Sequence, residues 1–142
     1  MCLLTYQKEP KILTEDLVVY KILERDFRAH TFKHFVYKVK ELYKTVITKI
    51  EINSYEDDFL FCDDLDQNYY EPLIKDLNYK EGEIIAIQEG FHSAKSVDRV
   101  KQILFYPNRF IVKCIIPAGS EYYEDETGLC VSNQIIIVEK VD

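Results

Sequence analysis

The chain has few of the residues that interrupt or cross-link a fold. Among 142 residues there are only four Gly, four Pro, four Cys and one Met, and there is no Trp. Flexible linkers and low-complexity segments are built largely from Gly, Pro and Ser, so this composition disfavours them. A chain of this length fits one hydrophobic core. We therefore expect a single domain over residues 1–142.

The cysteines do not form a recognisable site. Cys2, Cys62, Cys114 and Cys130 are scattered and form no CxxC pair, the spacing typical of zinc and redox centres. Cys114 lies within the apolar run 110–116, which favours a buried structural thiol. We expect no metal ligands in this chain.

Long apolar segments are also missing. No stretch approaches the roughly 20 apolar residues of a membrane span. The first ten residues, MCLLTYQKEP, lack the basic start and apolar run of a secretory signal. We therefore expect a cytoplasmic protein that does not bind membranes.

The charges that are present lie in bands. The net charge is −7; residues 21–50 carry eight Lys or Arg against three acids, and residues 51–83 carry eleven acids against two Lys. Such bands can steer a charged partner if they fold onto different faces. Aromatic residues interleave with basic ones between Lys21 and Lys49, a pattern that nucleic-acid surfaces use. The overall acidity argues against nucleic acid as a partner.

Hydrophobic periodicity predicts a fold of the α+β class, a mostly antiparallel β-sheet with few helices. Ser96 is a suitable N-cap for a helix over 96–105. A second, short helix is predicted at 71–77. The predicted strands are residues 17–23, 34–40, 43–52, 84–88, 110–116, 122–123 and 131–138.

The last third of the chain carries an ordered series of short motifs. A strand leads into Gly-Phe-His-Ser at 90–93, a helix and a buried strand follow, and Ile-Pro-Ala-Gly-Ser at 116–120 precedes a last strand with three isoleucines. This order resembles the second half of the ADP-ribosyltransferase fold. The chain is also similar to small uncharacterised phage and gut-bacterial proteins.

The resemblance implies a ligand-binding set composed of Tyr20, Lys21, His92, Ser93 and Gln134. Ser93 would stand for the family's hydroxyl motif, and Lys21 for an arginine in the first strand. Gln134 stands where the family has its catalytic Glu. An amide can hydrogen-bond a ribose but supplies no negative charge, and Lys can meet a phosphate only as a point charge. The resemblance therefore implies no catalytic residue, and NAD or ADP-ribose as candidate ligands rather than resident cofactors.

Three functions remain open at this point, and whether the protein is an enzyme stays open with them. The first is a binding protein with a degenerate ADP-ribosyltransferase-like cleft that takes a nucleotide or a protein partner without efficient catalysis. The second is an active transferase or NAD hydrolase that uses another acid, Glu89 or Glu121. The third is a phage-associated structural or interaction protein, in which the sheet is a scaffold and the charge bands select the partner. Each site residue also has a structural interpretation, with His92 hydrogen-bonded across the sheet, Ser93 in a turn, and Lys21 and Tyr20 as surface and core members of a strand.

Overall fold

The described chain is a small, almost entirely antiparallel β structure. The computed structural model describes residues 3–24, 36–52, 84–104 and 109–141. These residues contain one helix, α1 (Val97–Leu104). The strands are β1 (Leu3–Thr5), β2 (Lys11–Ile12), β3 (Leu17–Glu24), β4 (Leu42–Lys44), β5 (Thr48–Ile52), β6 (Ile84–Glu89), β7 (Phe91–Ala94), β8 (Arg109–Ile116), β9 (Glu121–Glu124), β10 (Leu129–Ser132) and β11 (Gln134–Val141).

Two sheets share these strands. One has three strands in the order β1-β6-β5, and the other has eight in the order β2-β9-β10-β7-β3-β8-β11-β4. Every pairing between described strands is antiparallel. The expected antiparallel sheet is therefore confirmed, and within the described residues its helical part is limited to α1.

The larger sheet curls back on itself at Asn133. This residue alone separates β10 from β11, although these strands lie four places apart in the sheet. Four places in a flat sheet would span about 19 Å, whereas two peptide units reach about 7 Å. The sheet must therefore curve until the two strands meet. Three hydrogen bonds hold Asn133 at the junction. Its backbone N–H donates to Glu121 O (3.1 Å), its backbone carbonyl accepts from Thr45 N (2.8 Å), and its side-chain Oδ1 accepts from Glu121 N (2.9 Å).

Curling gives the sheet an inner and an outer face. Alternate residues of a strand point to opposite faces, so one set of side chains from β3, β7, β8 and β11 fills the inside. Partly buried side chains of Leu13, Leu17, Tyr43 and Phe110 complete this inner core. Its buried members are Val19, Leu23, Tyr37, Phe91, Val112, Cys114, Ile116, Ile135 and Ile137.

The outer face is covered over part of its area by α1 and the three-stranded sheet. Leu3, Ile85 and Ile87 of the small sheet pack in one cluster with residues of the large sheet, including Ile111 and Val131. Val100 of α1 joins this cluster. The helix starts as the sequence predicts, because the Ser96 hydroxyl accepts from Arg99 N at 3.1 Å.

The predicted strands at 17–23, 84–88, 110–116 and 122–123 are confirmed within one residue at each end. The predicted strands at 43–52 and 131–138 are each split in two. In the first case β4 pairs with β11 of the large sheet and β5 with β6 of the small one, so the chain changes sheets between them. In the second case the curl at Asn133 interrupts the strand. Hydrophobic runs show neither event, because they record burial rather than the sheet that provides it.

The predicted strand at 34–40 is wrong where the structure describes it. Val36 forms an isolated bridge, the chain turns at 39–40, and Lys40 has φ of 65°. Tyr37 is buried while Val36 and Val39 are exposed, so the alternating pattern belongs to a loop with one anchoring ring. The helix predicted at 71–77 lies outside the described residues, as do Cys2 and Cys62.

Gly90 carries the chain from the small sheet to the large one. It is the single residue between β6 and β7, and its φ of 143° is one that L side chains rarely adopt. A Cβ at this position would overlap Val131 Cγ1, which belongs to the packed cluster between the sheets. Only a glycine fits both the backbone angle and the close approach.

We expect Gly90→Ala to lower the free energy of unfolding by about 3 kcal/mol or more, because it combines backbone strain with overpacking. Gly119→Ala is the matched control. Gly119 also has a positive φ, of 85°, but a Cβ there meets nothing within 4 Å, so only backbone strain of about 1 kcal/mol is expected. Urea denaturation of the two variants measures the difference. Equal losses would contradict the packing role of Gly90.

Candidate functional site

Four of the five predicted binding residues lie on two neighbouring strands. Tyr20 and Lys21 belong to β3, and His92 and Ser93 belong to β7. These strands are joined by one residue pair in the described sheet, Tyr20 opposite Ala94. No further pair between these two strands is described. We call the place beside this pair, where Lys21, His92 and Ser93 lie, the β3–β7 seam.

The four residues do not share a face. Lys21 lies two residues from inner-core residues on either side of it in β3. Ser93 lies two residues from the inner-core Phe91. Both side chains therefore face inward. Tyr20 packs against the cluster under the small sheet, and His92 alternates with Ser93. The seam therefore presents Lys21 and Ser93 to the inside and Tyr20 and His92 to the outside.

Gln134 lies apart from the seam. It is the first residue of β11 and is paired with Lys44 of the neighbouring edge strand β4. The adjacent Ile135 is part of the inner core, so Gln134 faces outward. In strand order β8 and β3 lie between its strand and β7, although the curl at Asn133 brings the start of β11 beside β10, the other neighbour of β7. The structure thus does not bring the residue at the family's Glu position onto one surface with Lys21 and Ser93.

Lys21 is a cation inside the curled sheet. Its Nζ donates to the carbonyl oxygen of His92, and the Tyr37 ring centroid lies 5.8 Å away. The Lys21 side chain thereby satisfies the His92 carbonyl beside the end of the β3–β7 ladder. No described carboxylate forms an ion pair with Lys21. Burial lowers the pKa of Lys21 from 10.5 to about 8.

Ser93 and His92 leave polar atoms of the seam unused. Ser93 is 7% exposed, and its buried Oγ has no hydrogen-bond partner. His92 Nδ1 lies 3.2 Å from Gly90 O, and its buried Nε2 has no partner either. Burial, with a smaller contribution from the Lys21 charge, lowers the pKa of His92 to about 3. The imidazole is therefore neutral at pH 7, and Lys21 is the only charged group of the seam.

The inner core adds further protonated groups near the seam. Burial raises the pKa of the Cys114 thiol to about 12 and the pKa of the Tyr37 hydroxyl well above its usual value. The predicted buried thiol at Cys114 is thereby confirmed. Cys130 of β10, which is opposite Ser93 of β7, is also buried, and burial raises the pKa of its thiol to about 12. These groups supply no negative charge at neutral pH.

Sequence reasoning missed Tyr37. The residue was placed in an alternating strand, yet it reaches the inner core from a loop and stacks edge-on against Tyr43 and Phe91, with ring centroids 5.2 and 6.4 Å away. No local signal separates this tyrosine from the ten others. The two alternative acids, Glu89 and Glu121, are exposed ends of β6 and β9, on strands that do not adjoin β3.

Comparisons with family models, curated proteins and solved structures find no match for this chain. The resemblance to ADP-ribosyltransferases therefore stays a prediction. In the described ranges, no helix has the length and apolarity needed to cross a membrane. No group of three or more potential metal-ligating side chains occurs among the same residues.

We expect Lys21→Met to be more stable than the wild type at pH 7. Holding a lysine charged below a depressed pKa costs about 1.4 kcal/mol for each unit of lowering, or roughly 3 kcal/mol here. Methionine fills a similar volume without a charge, but it leaves the His92 carbonyl without this hydrogen bond. We therefore expect the free energy of unfolding to rise by about 1–2 kcal/mol. Thermal and urea unfolding at pH 7 measure it. A large loss of stability would show that the hydrogen bond matters more than the buried charge.

The same pair of proteins should differ less at pH 10. Between about pH 8 and 10.5 the unfolded chain keeps the Lys21 proton that the folded chain has lost, so this group makes the wild type more stable as pH rises. Cys114 and Cys130 act in the opposite sense above pH 9, because they stay protonated only when folded. The difference between the unfolding free energies of the two proteins removes most of the cysteine contribution, because both proteins contain the same thiols. A difference that stays constant from pH 7 to 10 would contradict a depressed pKa for Lys21.

Proposed function

We propose that this protein binds a small phosphate-bearing ligand, of the nucleotide class, at the β3–β7 seam. The observation that carries the proposal is the ammonium of Lys21, which is largely buried and has no described carboxylate as counter-charge. A buried ion without a partner typically costs several kcal/mol. Groups with strongly perturbed pKa values are concentrated at functional sites.

A phosphate group supplies what the seam lacks. An ammonium has three donors, and one of those of Lys21 is used by the His92 carbonyl. A phosphate oxygen can accept from the remaining two, and another can accept from the unpartnered Ser93 hydroxyl. Lys21 keeps part of its surface accessible to solvent, whereas Ser93 Oγ is buried, so the proposed ligand approaches the seam from the Lys21 side. The Lys21 pKa of about 8 leaves most of the amine charged at pH 7.

We extend the proposal to binding without efficient catalysis. The seam offers an ammonium, a hydroxyl and a neutral imidazole, whereas stabilising an oxocarbenium-like centre requires a carboxylate. Gln134 supplies an amide and faces away from the inside of the sheet. If the ADP-ribosyltransferase resemblance reflects ancestry, NAD and ADP-ribose are the nucleotides that this seam would have kept, so they are the first to test.

Calorimetric titration at pH 7 with ADP-ribose, NAD, AMP and inorganic phosphate tests the proposal. We expect at least one of these to bind, and Lys21→Met to weaken that binding by tenfold or more, as loss of a charge-assisted bond worth about 1.5–3 kcal/mol requires. Ser93→Ala should weaken it about fivefold, as expected for a neutral hydrogen bond worth about 1 kcal/mol.

Lys101→Met is the matched control, because Lys101 is an exposed lysine of α1. It removes the same charge from the molecule away from the seam and should leave the affinity within about twofold, as surface charges act weakly. The proposal fails if none of the four ligands binds. It also fails if Lys21→Met and Lys101→Met bind equally well.

A further inference from the structure

An apolar row crosses the outer face of the large sheet at the end away from α1. Val18 on β3 is opposite Ile115 on β8, Ile115 is opposite Ile136 on β11, and Ile136 is opposite Leu42 on β4. Their immediate neighbours along each strand belong to the inner core or pack against it, so all four side chains point outward. Directly opposed residues of antiparallel strands have adjacent side chains. The four aliphatic groups therefore form one continuous stripe.

The stripe is open to solvent at both ends. Val18 is 41% exposed and Leu42 is 44% exposed, while Ile115 and Ile136 are half-buried between them. Single exposed aliphatic residues are ordinary, but an uninterrupted stripe over four strands is typical of an interaction surface. An apolar sheet face usually packs against a second sheet about 10 Å away.

Charged side chains border the stripe in a definite pattern. On one side, Lys113 is opposite Glu139 on the two central strands β8 and β11. On the other side, Asp16 lies at the β3 end and Lys44 at the β4 end. The Asp16 carboxylate is held in place, because its Oδ1 accepts from Ala118 N at 2.9 Å. Opposite charges thus sit at mirrored places along the row.

From this pattern we infer that the stripe is a homodimer interface, in which a second copy of the chain packs its own stripe on the first. The two-fold axis runs parallel to the strands. This symmetry reverses the order of the strands, so Ile115 packs on Ile136 of the second copy at the centre of the convex face, and Val18 and Leu42 of the two copies face each other at its margins. It also keeps the strands of the two sheets nearly aligned, which is the usual geometry for stacked sheets.

The same axis pairs the bordering charges. Lys113 meets Glu139 of the second copy, Asp16 meets Lys44, and the two-fold symmetry makes each pair occur twice. A two-fold axis perpendicular to the strands would instead stack Gln134 over Glu139 and pair no opposite charges. Charge complementarity therefore selects both the occupant, a second copy, and the orientation in which it docks.

Sedimentation velocity tests the interface with two charge reversals. A small interface of this kind is expected to dimerise at about 10–100 µM. Lys113→Glu and Glu139→Lys should each be monomeric at these concentrations, because each homodimer then opposes like charges. An equimolar mixture of the two variants should recover the dimer, since every contact between the copies again joins opposite charges. Pairing within one chain cannot produce this recovery.

Leu42→Asp provides an independent variant, and it should abolish the dimer in wild-type background while circular dichroism and the melting temperature stay close to wild type. Lys101→Glu, on the exposed side of α1, is the control and should dimerise normally. A wild-type protein that stays monomeric at about 1 mM would overturn the inference, as would a dimer that Leu42→Asp leaves intact. A mixture that remains monomeric while the wild type dimerises would overturn the proposed orientation.

Discussion

The structure depends on the bend at Asn133, where one long strand turns from β10 into β11. The sheet must curl, because a single residue joins strands that are four places apart in it. The three hydrogen bonds of Asn133 connect the two ends of the curled sheet through Thr45 and Glu121. Curling creates an enclosed inner face within a sheet of modest size. A flat antiparallel sheet of the same strands would leave that face to be covered by other elements.

The enclosed inner face of the sheet contains a charged residue, Lys21. Lys21 lies between Val19 and Leu23 on the inner side of β3, so most of its side chain is buried. The β3–β7 ladder has one described pair, and beside it the ammonium of Lys21 donates to the carbonyl of His92. The unpartnered hydroxyl of Ser93 lies on the neighbouring strand. A mostly apolar inner face thus contains one cation and one unused hydroxyl beside the end of the β3–β7 ladder.

The sequence predicts local features of this fold better than their assembly. The strand at 17–23, the apolar run at 110–116 and the Ser96 cap follow from patterns within a few residues, and each is confirmed. Sheet membership and curvature depend on distant partners, so the split of 43–52 could not be read from its own residues. The same limit applies to the site. Lys21 and Ser93 were singled out from a resemblance, but their common inward direction and the outward direction of Gln134 follow only from strand register. The buried ring of Tyr37 follows from the packing of a loop.

The central claim is that Lys21 is a charged group poised for an anion inside the curled sheet. The most direct measurement is an NMR titration of the Lys21 side chain, using the Cε and Nζ resonances assigned by comparison with Lys21→Met. We predict a pKa of about 8 in the free protein and a rise toward 10.5 when a phosphate ligand is bound, since a nearby negative charge favours the protonated amine. A pKa near 10.5 in the free protein would contradict the account, because the ammonium would then be solvated or already paired.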